Sequence, residues 1–336
     1  MLSVENLTIG YDHRKSGKKI VQQSLNLRMG AGEFICLLGP NGCGKSTLLR
    51  TMAGIQPSLG GCAKLDGVSV DSISLRERSR LLALVLTEPI ETLGMRVREL
   101  VALGRNPFTG FLGRLSQEDT KRVDESLAQV NLAHKSESTL FELSDGERQR
   151  ALIAKALAQD APMIFLDEPT AHLDLPNRVE IMMLLHRLAH EMGKCVLIST
   201  HELELAMQVA DRIVLMKPEV GGVVDGIPES LVVDGHLQGV FINSSVRFDP
   251  YSGTFLMNHK VRGSVAVVSR GEGYLTFWSE RALARLGFEI DSEAALRVSV
   301  DERHSTWTVD TARGSYQAGS IAEMLMLLVE EYNVDI

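Results

Sequence analysis

Apolar and polar residues alternate over the first thirty positions, as in Leu2-Ser3-Val4-Glu5-Asn6-Leu7 and Leu25-Asn26-Leu27-Arg28. Period-two alternation predicts half-buried strands, here an antiparallel pair around the basic turn His13-Arg14-Lys15-Ser16-Gly17-Lys18-Lys19. A different pattern follows. Phe34–Leu38, Leu81–Leu86, Met163–Asp167 and Cys195–Ser199 are continuous apolar runs, expected of strands buried on both faces. Between and around them, residues 145–159, 176–192 and 202–210 carry helical periodicity. From about residue 96 to 138 the pattern turns helical, with amphipathic segments at Val97–Leu103 and Ser116–Val130. Ser116 precedes Gln117-Glu118-Asp119, a cap with acidic residues that suit the helix dipole. Strands alternating with helices predict an α/β fold around a mostly parallel sheet covered on both faces.

Beyond Pro218 the pattern changes. Residues 219–260 are rich in Gly, Asp and Pro and suggest short strands and turns. Strand patterns return at Val261–Ser269, Leu296–Asp301 and Thr306–Asp310, with amphipathic helices expected at Phe277–Leu286 and Ile321–Tyr332. The order β-α-β-β-α predicts a small α+β domain at 261–336, joined by a linker or short strands at 241–260 to a larger domain at 1–240. Its role is not legible in the residues.

The chain has 336 residues, 44% of them hydrophobic, room for one large or two ordinary domains. No apolar run approaches the roughly 20 residues that span a bilayer, and no basic stretch followed by an apolar one opens the chain. The expectation is a chain that crosses no membrane itself. A formal net charge of −8 speaks against nucleic acid as the main partner. Cys36, Cys43, Cys62 and Cys195 show no metal-ligand spacing. Cys36 and Cys195 sit in apolar runs as small hydrophobes, which fits a reducing compartment.

The chemistry begins at Gly39-Pro40-Asn41-Gly42-Cys43-Gly44-Lys45-Ser46, which fits G-x-x-x-x-G-K-[ST] between a strand-like run and a helix opening at Thr47. Glycines let the backbone wrap phosphates, and the helix N-terminus points its N–H groups at the anion. Lys45 is the residue to reach the β- and γ-phosphates, and the Ser46 hydroxyl the one to bind Mg²⁺. A nucleoside triphosphate site is expected. Asp167 and Glu168 end an apolar strand. They suit Mg²⁺ binding and the orienting or deprotonation of a water, or else they cap the turn before Pro169.

Two further segments say which kind of site this is. Leu143-Ser144-Asp145-Gly146-Glu147-Arg148-Gln149-Arg150 lies about 100 residues after the loop. Met163-Ile164-Phe165-Leu166-Asp167-Glu168-Pro169-Thr170 follows shortly. With the loop, this order resembles the ATP-binding cassette family of transporter ATPases over roughly residues 1–217. The resemblance implies a P-loop NTPase of the ABC type, with an antiparallel β subdomain and a helical subdomain at about 90–143. It also implies a hydrolysing enzyme with ATP and Mg²⁺ as cofactors.

In that family Asp167 holds Mg²⁺, Glu168 activates water, His201 is the switch histidine, Tyr11 stacks on adenine and Asp174 is the D-loop aspartate. Ser144 and Gly146 belong to the signature that closes on a partner's nucleotide, which implies a homodimer or a pair with a similar ATPase subunit. The family places a glutamine after Leu82–Leu86, where this chain has Thr87-Glu88-Pro89. Glu88 is an oxygen donor suited to Mg²⁺, and Thr87 a weaker one. Asp145 stands where glutamine or glycine is more usual.

Val97–Pro107 is similar to the importer branch that takes up iron–siderophore complexes, haem and vitamin B12. That implies integral membrane permease subunits, indirectly a substrate-binding protein, and a place at the cytoplasmic face of the inner membrane. An exporter or metal-cluster-assembly ATPase, or a regulatory module that binds ATP, are the alternatives.

Overall fold

The computed structural model describes residues 1–13, 17–86, 94–110, 113–218, 222–241, 246–250 and 253–332. It divides into two compact units, one of Met1–Ile242 with Phe248–Thr254, the other of Asn243–Arg247 with Phe255–Ile336.

The first unit holds two sheets. β1 (Leu2–His13) and β2 (Gly17–Met29) pair antiparallel, and β4 (Gly60–Leu65) and β5 (Val68–Ser69) extend the sheet in the order β2-β1-β4-β5. The second sheet takes the four apolar runs as β3 (Phe34–Leu38), β6 (Leu82–Val85), β7 (Met163–Asp167) and β8 (Cys195–Ser199), and adds β9 (Arg212–Met216), which the sequence reading did not single out. Its order is β10-β9-β3-β8-β7-β6, parallel except for the edge strand β10 (Val223–Gly226). Every residue of β3, β7 and β8 is buried, as continuous hydrophobic strands require. Helix α1 (Lys45–Met52) lies between the two sheets, with Leu48, Leu49 and Met52 in one core with Leu7 and Ile9 of β1 and Phe165 and Leu197 of the parallel sheet.

Helix α2 (Leu75–Leu81) precedes β6. It opens on a capping box, Ser74 with Glu77, that the sequence reading passed over; the expected strand at Leu81–Leu86 is accordingly shorter. Helices α3 (Val97–Ala102) and α4 (Gln117–Gln129) pack against α5 (Asp145–Ala158), and Ser116 caps α4 as expected. Arg105 locks this group together: it donates to Asp119 at 2.8 Å and to the Ala158 carbonyl at 2.7 Å, with its guanidinium 4.0 Å from the centre of the Phe108 ring. Next to it, Gly104 lies so close to α5 that a Cβ there would stand 2.2 Å from the Lys155 carbonyl oxygen. Helices α6 (Leu175–His190) and α7 (Leu203–Val209) follow β7 and β8. Where short strands and turns were expected over 219–260, two short helices also form, α8 (Pro228–Val233) and α9 (His236–Phe241), with Leu231, Leu237 and Val240 buried. A short ribbon, β11 (Val246–Asp249) with β12 (Thr254–Met257), follows in sequence.

The second unit is a five-stranded sheet in the order β14-β13-β15-β16-β17, with β13 (Gly263–Arg270), β14 (Phe288–Ile290), β15 (Arg297–Asp301), β16 (Thr306–Thr311) and β17 (Gly314–Ala318). Helices α10 (Leu275–Arg285) and α11 (Ile321–Tyr332) share its apolar core, Leu283, Met324 and Leu328 meeting Val265, Val298, Val300 and Val309. Two strands of this unit, like β9 in the first, escaped the sequence reading. β14 has three residues, and β17 reads Gly-Ser-Tyr-Gln-Ala, almost without apolar signal.

Candidate functional site

The loop after β3 bends through left-handed backbone at Gly42 (φ 80°) and Gly44 (φ 105°), and Gly44 is the N-cap of α1. Gly44 also has no room for a side chain, since a Cβ would stand 2.4 Å from Val21 Cγ1. Lys45 opens the helix almost fully buried, with Nζ donating to the carbonyls of Gly39 at 2.9 Å and Pro40 at 3.3 Å. Burial pulls its ammonium below the ordinary lysine value, while Cys43, Glu168 and Asp167 pull the other way. A buried cation beside a helix N-terminus is a cradle for phosphate. Asn41 lies in the same loop, and Cys43 is buried with its thiol pushed up by desolvation.

The Ser46 hydroxyl donates to Asp167 Oδ1 across 3.0 Å. Two oxygen ligands held at this distance fit a hard divalent cation. The parallel register of β7 and β8 pairs Asp167 with Ser199. Ser199 Oγ donates to the same carboxylate oxygen at 2.6 Å and accepts from the Glu168 N–H at 2.9 Å. Glu168 itself sits in left-handed backbone, φ 49°, a conformation costing about 1–3 kcal/mol away from glycine. Two residues past β8, the imidazole of His201 donates through Nε2 to Glu168 Oε1 at 2.6 Å, with both side chains partly open to solvent. Lys45, Ser46, Asp167, Glu168 and His201, which lie far apart in the chain, thus converge at the carboxyl ends of three adjacent parallel strands, where open α/β sheets bind ligands.

Tyr11, on β1, is partly exposed and its hydroxyl lies 3.0 Å from Thr47 Oγ1 on α1, which brings the ring to the loop's flank. Glu88 and Thr87 lie outside the described residues.

Ser144 caps α5: it accepts from the Glu147 N–H at 3.3 Å, and Glu147 accepts from the Ser144 N–H at 3.0 Å. A hydroxyl accepting in this way keeps its own proton to donate. Asp174 caps α6, accepting from both the N–H and the side-chain amide of Asn177, at 3.1 and 2.6 Å. Asn177 Oδ1 would stand 2.5 Å from a Cβ at Gly146, so Asp174 and Gly146 are joined through one asparagine. Sequence reasoning missed both Ser199 and Asn177. Ser199 carried one signal, a hydroxyl closing an otherwise apolar run two residues before His201; Asn177 carried none.

Residues 22–171 match the ABC transporter family profile, and residues 263–329 match that of the iron ABC transporter C-terminal domain. The chain is 36% identical to the iron(3+)-hydroxamate import ATP-binding protein FhuC of Bacillus subtilis (strain 168) over 74% of its own length and 91% of that protein's. It is 32% identical to the ferric enterobactin transport ATP-binding protein FepC of Escherichia coli (strain K12), covering 75% and 92%. Among solved structures it resembles the ATP-binding cassette MJ0796, a dimer in a post-hydrolysis state bound to ADP and Pi. There the TM-score is 0.58 at 28% identity, over 68% of this chain and 99% of that one. Identity at that level over that share of both sequences makes this chain a member of the ABC transporter family, one of its ATP-binding, ATP-hydrolysing subunits.

Proposed function

We propose that this chain drives an importer for iron–siderophore complexes, with haem and cobalamin-type ligands as neighbouring possibilities of the same branch. The observation that carries the reading is the conjunction of two things: relatives named for iron-siderophore import, and a match at 263–329 to a domain described for iron ABC transporters. ABC ATPase cassettes dimerise and work with membrane permease subunits. In our reading two copies pair, or one copy pairs with a similar subunit, beneath permeases at the cytoplasmic face of the inner membrane. A substrate-binding protein then delivers ligand from the other side. No described helix is long and apolar enough to cross a membrane, so permeation belongs to those partners.

In the catalytic cycle Tyr11 stacks on the adenine, a contact worth about 1–3 kcal/mol. The 39–44 loop and the helix dipole of α1 hold the phosphates, and Lys45 exchanges its carbonyl partners for β- and γ-phosphate oxygens. Ser46 and Asp167 would hold Mg²⁺, with Glu88 as the further oxygen donor the sequence offers, and the ion would neutralise charge on those oxygens. Glu168 accepts a proton from the attacking water, and His201 orients that carboxylate through the Nε2–Oε1 hydrogen bond. Ser144 and Gly146 present α5's N-terminus to the triphosphate of the partner, and Asp174 sets that end of α6. Closure of the pair moves the permeases because ATP binds the closed state better than the open one.

The test is Mg-ATP turnover by the purified protein against Glu168→Gln. Turnover should fall about 10²–10⁴-fold while the variant binds ATP and elutes as a dimer on size exclusion. Equal turnover in both removes Glu168 from its role. ATP-dependent dimerisation without turnover in either protein, even with permeases supplied, favours a regulatory module. Uptake of radiolabelled ferric hydroxamate by cells lacking the gene separates importer from exporter.

A further inference from the structure

We propose that Ser199 is a positioning residue for hydrolysis, setting both carboxylates of the β7 end at once. The inference rests on the assignment of Asp167 and Glu168 above. Ser199 is fully buried, and its hydroxyl is used twice. It donates to Asp167 Oδ1 at 2.6 Å and accepts from the Glu168 N–H at 2.9 Å, while its carbonyl takes the same N–H at 3.1 Å. Glu168 holds a left-handed backbone that an unsupported glutamate rarely adopts. Its amide is therefore pinned by two oxygens of one residue on the neighbouring strand.

The chain that results runs from Ser46 to Asp167, from Asp167 to Ser199, from Ser199 to the backbone of Glu168, and from the Glu168 side chain to His201. Ser199 is its midpoint, and it lies two residues from His201 on one strand end. Removing the hydroxyl leaves the Asp167 carboxylate with one donor fewer and the Glu168 amide with only the carbonyl. The Ser199 hydroxyl bonds Asp167 and the Glu168 N–H, not Lys45 or the loop carbonyls that Lys45 holds. The consequence is a defect in turnover rather than in nucleotide binding.

The matched pair Ser199→Thr and Ser199→Val tests this, because the two side chains have nearly the same shape and differ in the hydroxyl. Strain from the added methyl is then common to both. Ser199→Val should turn over about 10- to 100-fold more slowly than Ser199→Thr. Affinity for a fluorescent ATP analogue should stay within about twofold between them, with a weaker Mg²⁺ dependence of that binding in the valine variant. Equal turnover in the two variants overturns the proposal, as does a valine variant whose loss is all in ATP affinity. Should the methyl unfold both, Ser199→Ala against wild type carries the same comparison, read at matched melting temperature. Glu168→Gln run alongside keeps the two readings apart. If it retains turnover, the assignment of the base fails. If it loses turnover while valine and threonine agree, only the role of Ser199 fails.

Discussion

Lys45 shows how little of a residue's role lies in the residue alone. Its ammonium is buried, held by two loop carbonyls, and drawn below its ordinary value by desolvation. The favourable partner for such a cation is an anion that replaces the carbonyls. Lys45→Met keeps the stem and removes the charge, so folding should survive. Two charge-assisted hydrogen bonds at about 1.5 kcal/mol each vanish, and ATP affinity should fall about 100-fold by equilibrium titration. The place of Lys45 in the loop was legible because a local motif encodes it: eight consecutive residues carry loop, lysine and serine. Glu168 and His201 were legible through their spacing within a family pattern. Ser199 was not, because its partners are chosen by strand register across β7 and β8, which no local pattern states. The cysteines follow from patterning, and burial pushes the Cys195 thiol up to about 12, leaving it protonated.

Among the elements, α5 and α6 touch where Gly146 meets Asn177. Gly146→Ala should therefore push Asn177 off Asp174 and lower turnover more than stability. Adding Asn177→Ala to it should restore part of the loss, a coupling that a double-mutant cycle in ATPase rate measures. The Arg105–Asp119 pair is nearly buried. Asp119→Ala strands a buried guanidinium, and chemical denaturation should show a loss of about 3–5 kcal/mol. At the end of α6, His190 bonds the His186 carbonyl through Nδ1 and Asp211 through Nε2, and His186 stacks on its ring. The bond to the His186 carbonyl and the neighbouring Asp211 raise its pKa. The protonated form is thus favoured by folding. Its contribution is full below the ordinary imidazole value of about 6.5 and fades as pH rises through the raised value. For so exposed a pair it stays under about 1 kcal/mol, so the stability gap between wild type and His190→Gln should close between mildly acidic and alkaline pH. The helix start at Ser116 was legible in the sequence, whereas the capping box at Ser74 was passed over. Polar β17 and the short helices α8 and α9 were not, because tertiary burial of a few side chains decides them.

At the scale of the whole chain, two units with separate cores imply separate unfolding. Calorimetry should show two transitions, and adding Mg-ATP should raise only the one belonging to the nucleotide-binding unit. A small α+β unit was expected at 261–336 because strand and helix patterns resume there after the Gly-, Asp- and Pro-rich stretch; the packing within that unit was not legible. One detail of that unit reaches further. The chain has two tryptophans, Trp278 and Trp307, both in the second unit. Trp278 is half exposed, whereas Trp307 is buried with its indole N–H donating to Ser279 Oγ at 2.7 Å. Intrinsic emission excited at the red edge is therefore a private optical reporter of the second unit. Melting of that unit can therefore be followed in the whole chain without a label.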